Sequence, residues 1–263
     1  MTVPETLEAP SSVAKACRIL RALSALPQPR MTDIAQAADL DKATVLRLME
    51  ALMREGFVRR DAQTKLYSAG PELQLAGVTA LARTNPRTLV RPSLVRLAGQ
   101  FEDTAILSVP CGAESLCLDL ELGRYPVRAN YLETGHRRLL GVGAGSLALL
   151  AWLPERERDA VLDTVAAQLQ RTQAYPLIDR ALLQAKAAES RARGYAVLLD
   201  VVVERMGGIA VPVLGADGSP VAAISIAALT DRITAREAEL AQALQREAAQ
   251  CQALWPGMER ATA

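Results

Sequence analysis

The chain has 263 residues, half of them hydrophobic, with 30 basic and 29 acidic side chains and a net charge of +1. Its length fits two domains with sizeable cores, and the near-balanced charge excludes a protein drawn to nucleic acid or membrane by one global field. No apolar run approaches the ~18 residues of a membrane span, and the first ten residues lack the basic and apolar regions of a signal peptide, so a cytoplasmic protein is expected.

Residues 1–10 read as a flexible tail. Ser11 or Ser12 caps a first helix whose inner face is predicted to be Val13, Ala16, Cys17, Leu20 and Leu23, and Pro27 and Pro29 stop it. A short second helix follows, capped by Thr32, with Ile34, Ala35 and Ala38 on its apolar side. Asp39-Leu40-Asp41 breaks the pattern, and Asp41 caps a third helix from Lys42. There Val45, Leu48, Met49 and Leu52 recur at helical spacing as a buried stripe, leaving Lys42, Ala43, Thr44, Arg47, Glu50 and Arg54 outward. Gly56 ends the helix, and Phe57–Arg60 and Lys65–Ser68 flank residues 61–64 as a hairpin with basic residues near its tip. This is the pattern of a winged helix-turn-helix, in which the second helix of the pair enters a DNA major groove and the hairpin reaches phosphates. Between Ser11 and Ser68 ten basic residues face six acidic ones, so a basic head precedes a mildly acidic body.

Gly70-Pro71 resets the backbone before a helix over Glu72–Ala82, which Thr84-Asn85-Pro86 breaks. Beyond Arg87 helix and strand mix. The pattern predicts a helix over Arg91–Gln100 and strands at Thr104–Val109, Ser115–Leu120 and Val127–Leu132. A helix begins at Leu147, another after Pro154, and a third spans Ile178–Arg193, ended by Gly194. Strands follow at Ala196–Val201 and Ile209–Leu214, and Asp217-Gly218 turns the chain into Val221–Leu229. Thr234 and Glu237 suggest a capping box for a last helix, Ala235 to Leu254. Helices beside a largely antiparallel sheet make an α+β domain.

The runs ADLDKATVLRLMEALMREGFVRRD and KLYSAGPELQLAG resemble the DNA-binding half of an IclR-family transcriptional regulator. Leu40 to Leu48 match the family order of Leu, a capping residue, Lys, a small residue, Thr, Val, any residue, Arg and Leu. GHRRLLGVGAGSLALLAWLP, RARGYAV and GGIAVPVLGADGSPVAAISIAAL resemble its ligand-sensing half, so the likeness covers about the whole chain. It implies a winged helix-turn-helix over residues 11–70, a linker helix over 71–86 that helps pair subunits, and a GAF-like effector-binding domain over 87–263. The partners implied are a double-stranded DNA operator, a small-molecule effector and further copies of the chain, as a homodimer or homotetramer. The residues expected at DNA are Thr32, Lys42, Ala43, Thr44, Arg47, Arg54, Arg59, Arg60 and Lys65. Lys42, Thr44 and Arg47 are placed at the groove, and Arg59, Arg60 and Lys65 at phosphates.

Gly141-Val142-Gly143-Ala144-Gly145-Ser146 is the second notable stretch. Its glycines let a loop approach a small molecule closely, and the amides of the helix that follows suit a carboxylate. A tight strand-to-helix connection without a ligand explains the same residues. A dinucleotide fingerprint does not fit, because its third glycine falls at Ser146. The resemblance implies an effector pocket at Gly143, Ala144, Gly145, Met206, Gly208, Ser225 and Ala227. Members that sense small keto acids carry an acid and a thiol where Leu198 and Gly208 stand, and a second hydroxyl at Ala227. A larger, partly apolar organic acid, aromatic for instance, is therefore the expected effector.

A hydrolase would need a nucleophile, a base and an orienting acid. His136 is the only imidazole, Ser108, Ser115, Ser146 and Ser225 lack the GxSxG elbow, and Asp119 and Glu121 are expected to face water. Cys17, Cys111, Cys117 and Cys251 have no metal spacing. A regulator, and neither an enzyme nor a metal or cofactor protein, is the expected class, with a protein-interaction module built on the winged helix as the other alternative.

Overall fold

The computed structural model describes residues 11–83, 85–128 and 132–254. The chain divides into two compact units between Asn85 and Pro86. The expected tail at 1–10 lies outside the described residues.

The first unit packs helices α1 (Ser12–Ala25), α2 (Met31–Ala38) and α3 (Lys42–Arg54) against a two-stranded hairpin, β1 (Val58–Arg60) and β2 (Tyr67–Ala69), followed by α4 (Pro71–Arg83). Ser11 caps α1, its hydroxyl accepting from the Ala14 amide at 3.2 Å. The inner face of α1 is Ile19, Ala22 and Leu23; Val13 is 73% exposed and Cys17 is also outside. Ile19 is fully buried and packs in one cluster with Ile34, Val45, Met49, Val58 and Tyr67, while Leu20 is partly buried at its edge.

At α2 the expected cap is also displaced. Asp33, in the first turn, accepts from the Arg30 amide at 2.8 Å, and Thr32 donates to the same carboxylate at 3.3 Å. A carboxylate outcompetes a hydroxyl for an unpaired helix amide. Asp41 caps α3 as expected, accepting from the Thr44 amide at 2.8 Å, and Gly56 follows the helix with φ +75°. The hairpin pairs Val58 with Ala69 and Arg60 with Tyr67, so its connection is two residues longer than expected and includes Lys65.

The second unit is a six-stranded antiparallel sheet in the order β5-β4-β3-β8-β7-β6. Its strands are β3 (Thr104–Cys111), β4 (Glu114–Glu121), β5 (Arg137–Leu139), β6 (Ala196–Leu199), β7 (Met206–Leu214) and β8 (Pro220–Leu229). Helices α5 (Pro86–Phe101) and α10 (Glu237–Ala253) cover one face, around Leu94, Phe101, Leu107, Ile209, Ile224 and Leu244. Helices α6 (Ala144–Ala151), α7 (Glu155–Thr172) and α8 (Arg180–Arg193) cover the other, around Leu147, Leu150, Leu162, Leu183, Leu198 and Ala223. The two-residue period of the strands sends Ile224 to one face and Ala223 to the other. A short helix, α9 (Thr230–Thr234), joins β8 to α10. Among the described residues no helix is long and apolar enough to cross a membrane.

Several expectations in this unit change. Helix α5 begins at Pro86 and not Arg91, and α6 begins at Ala144, inside the stretch read as a loop. No strand forms at 127–128 or at 132, and residues 129–131 lie outside the described residues; the strand beside β4 is β5. The predicted capping box at Thr234 does not form, because Thr234 donates to Thr230 O inside α9 at 2.6 Å and Glu237 accepts from Tyr195 at 2.8 Å. Asp119 does not face water: it is 2% exposed, with Arg87 at 3.3 Å and Arg91 at 3.4 Å, and Arg91 also pairs with Glu121. A carboxylate held by two guanidinium groups recovers in charge pairing much of what it loses in hydration.

Candidate functional site

In the first unit, successive residues of α3 turn by about 100°, so Lys42, Ala43, Leu46, Arg47, Glu50 and Arg54 fall on one arc opposite the buried Val45, Leu48 and Met49. All six are exposed. Thr44 sits at the edge of the arc, half-buried, its amide bound to Asp41. The two Thr44 contacts, backbone first, hold the Asp41 carboxyl below its ordinary range. Thr32 is exposed at the start of α2.

On the hairpin, Arg59 and Arg60 are exposed, and the Arg60 guanidinium stands 5.3 Å from the centre of the Tyr67 ring. Asp61 accepts from the amides of Gln63 at 3.0 Å and Thr64 at 2.6 Å, and from the Thr64 hydroxyl at 2.8 Å. These bonds stiffen the tip and depress the Asp61 pKa, the Thr64 amide most of all. Lys65 is placed differently from expectation. Its ammonium folds back on the tip and donates to Ala62 O at 2.6 Å, which leaves two of its three N–H donors for a phosphate.

In the second unit one cavity lies between the sheet and the start of α6. Its volume is about 50 Å³, below the ~300–1,000 Å³ usual for small-molecule sites, so an acid with a ring enters only as the lining opens. All seven residues expected at the effector pocket, Gly143, Ala144, Gly145, Met206, Gly208, Ser225 and Ala227, line it. Gly143 caps α6 with φ +100°, and the first amides of that helix carry its positive dipole end. Space is tight at Gly145: a Cβ there would stand 3.2 Å from both the Ser108 and the Ser225 hydroxyl oxygens, which would have to give by a few tenths of an ångström. At Gly208 a Cβ would come within 3.0 Å of the Ala144 Cβ, so the missing side chain on β7 makes room for Ala144.

Sequence reasoning missed Ser108, Ser115, Cys117, His136 and Arg138, which also line the cavity. They arrive from β3, β4, β5 and the turn before β5, and only the strand register shows that they meet. Ser108 pairs with Cys117 on one side and Ala223 on the other, and Ser115 pairs with Arg138. Arg138 brings its guanidinium to 3.5 Å from where a Cβ at Gly143 would be, beside the α6 N-terminus. Burial, and then the Asp119 charge, push the Cys117 thiol up to about 11, so it is neutral near pH 7. Leu198, Val202 and Met206 form an apolar wall. Cation, helix amides and several hydroxyls at one end of an apolar chamber suit an anion with an apolar body.

Among the described residues lining the cavity, no hydroxyl or thiol is paired with a base. His136 Nδ1 accepts from the Glu133 amide at 3.2 Å, and Ser146 donates to Val142 O at 2.6 Å and Gly143 O at 3.0 Å.

Comparison with known proteins bears on both units. Residues 12–62 match the IclR helix-turn-helix domain, and residues 78–253 match the C-terminal domain of the bacterial transcriptional regulator IclR. The chain belongs to the IclR family. Among relatives of this IclR chain, the probable transcriptional regulator SauR of Cupriavidus necator is 28% identical over 85% of the chain and 88% of its own length. The HTH-type transcriptional regulator XynR of Escherichia coli is 27% identical, covering 81% and 82%. The solved IclR regulator of Alicyclobacillus acidocaldarius aligns with a TM-score of 0.72 at 27% identity, over 96% of this chain and 99% of that one. An IclR homologue of Microbacterium hydrocarbonoxydans, solved in complex with 4-hydroxybenzoate, shares the fold with a TM-score of 0.68 at 21% identity, covering 92% and 98%. The protein is thus a transcriptional regulator with a DNA-binding domain and a C-terminal effector domain, and not an enzyme.

Proposed function

We propose that the cavity takes a small, partly apolar organic acid, and that its binding alters the grip of the DNA-binding domain on an operator. The observation that carries this is the pairing of Arg138 and the α6 N-terminus with the wall of Leu198, Val202 and Met206 in one chamber. The carboxylate lies at the amides of Ala144 and Gly145 with the Arg138 guanidinium beside it. Ser108 and Ser225, whose hydroxyls stand beside Gly145, serve the same polar end, and the body of the acid packs on the wall. An aromatic acid matches this division of chemistry, with its ring admitted as the lining opens. The fold neighbour from Microbacterium hydrocarbonoxydans, solved with 4-hydroxybenzoate, supports that choice of compound class.

Two or four subunits present α3 to the half-sites of a pseudo-palindromic operator, since dimer symmetry is mirrored in the DNA. Lys42, Ala43, Thr44 and Arg47 meet the groove, with Thr32 and Arg54 at its margins, and Arg59, Arg60 and Lys65 hold phosphates. The acid shifts operator affinity by binding one arrangement of the subunits more tightly than another.

Calorimetry of the full-length protein against a panel of keto acids and aromatic acids tests the effector class. Saturable binding of an aromatic acid, weakened by Arg138→Gln, is the expected result; a preference for glyoxylate or pyruvate contradicts it.

A further inference from the structure

The outward arc of α3 carries one side chain that its charges do not account for. Leu46 is 45% exposed, and among the described residues it belongs to no apolar cluster, while Val45, Leu48 and Met49 beside it are buried. It lies within the arc, between Lys42 on one side and Ala43, Arg47, Glu50 and Arg54 on the other. Ala43 is too short to cover it. On this arc the exposed Lys42, Arg47 and Arg54 outnumber Glu50, and the hairpin adds the exposed Arg59 and Arg60, so the occupant that charge selects is a polyanion, a nucleic acid duplex. In a major groove the base edges offer donors, acceptors and one apolar group, the C5 methyl of thymine.

We propose that Leu46 reads thymine through that methyl group, next to the base met by Arg47. The inference rests on the DNA-binding role given to α3 above and adds a residue to it. Lys42 and Arg47 supply charge and hydrogen bonds, which hold the helix in the groove. Leu46 removes its own apolar surface and the methyl from water together, which a cytosine at that position cannot match. Loss of one such methyl contact weakens binding by roughly fourfold.

The full-length protein first selects duplexes from a random library at low salt. Each thymine of the consensus is then replaced by deoxyuridine, which keeps the hydrogen-bonding groups and lacks only the methyl. Wild type is expected to lose roughly fourfold in affinity at one thymine per half-site, and Leu46→Ala to bind the thymine and deoxyuridine duplexes equally. Leu46→Gln gives the same indifference and serves where the alanine variant melts early. No loss by wild type at any thymine overturns the proposal. So does an equal loss in wild type and both variants, which moves the contact to another residue. Failure to enrich any consensus overturns it at the level of the DNA-binding role itself, a separate result from indifference to the methyl.

Discussion

Asp41 fixes where the DNA-facing helix starts, by accepting from the Thr44 amide at 2.8 Å. The Thr44 amide, then the Thr44 hydroxyl, hold its folded pKa below the ordinary 3.8. A depressed carboxyl pKa contributes stability that is complete above the unfolded value and is lost as pH falls through the folded one. Asn at this position keeps an oxygen acceptor without the titration. The melting temperature of wild type relative to Asp41→Asn should therefore stay constant above about pH 5 and fall below about pH 4, as followed by circular dichroism; a constant difference down to pH 2 contradicts this. Gly145 sets the space of the cavity in the same residue-level way. Because a Cβ there meets Ser108 and Ser225 at 3.2 Å, Gly145→Ala should weaken effector affinity by roughly tenfold, near the ~1.4 kcal/mol of modest overpacking. Operator binding in the absence of effector is expected to be unchanged, and unchanged calorimetric affinity would remove Gly145 from the site.

Among the elements, the start of β3 is tied to α9 and α10 by one buried carboxylate. Asp103 receives Arg232 at 3.0 and 3.2 Å and Arg236 at 2.6 Å, and Arg232 also stacks 3.7 Å from the centre of the Tyr125 ring. Asp103→Asn should cost about 2–3 kcal/mol in urea unfolding, less than the ~3–5 for a wholly buried pair, because both arginines keep part of their surface in water. A loss under about 0.5 kcal/mol would mean that the cluster is only decorative. Element by element, the sequence was most readable where local signals agree. Asp41 before a helical stripe, Asp217-Gly218 between apolar runs and Gly194 after a long helix each mark a boundary that the structure keeps. It misled where a local pattern had no tertiary partner. Val127–Leu132 begins with the exposed Val127 and forms no strand at its described ends, whereas the true edge strand is three residues, Arg-Arg-Leu, with no alternation to read. The cavity divides in the same way. Its loop and the β7 and β8 residues were legible through resemblance, while Ser108, Ser115, His136 and Arg138 depend on a β3–β4 register that shifts at Leu107/Ser108 and on a three-residue β5, neither of which spacing alone encodes.

As a whole, the molecule carries a basic winged helix in one unit and an anion-suited chamber in the other. Neither unit explains the other unless a ligand in the second changes the affinity of the first for DNA, and linkage makes that coupling measurable from either side. The direct measurement is operator affinity of the full-length protein by fluorescence anisotropy, across a salt series, with and without the aromatic acid that binds best. The expected log-log slope of affinity against salt is roughly −0.9 per phosphate contact. Adding the acid is expected to shift operator affinity by about 5–150-fold, in either direction, an effect reduced in Gly145→Ala at the same acid concentration. Operator binding that ignores a saturating acid, or no salt-dependent binding at all, would contradict this reading.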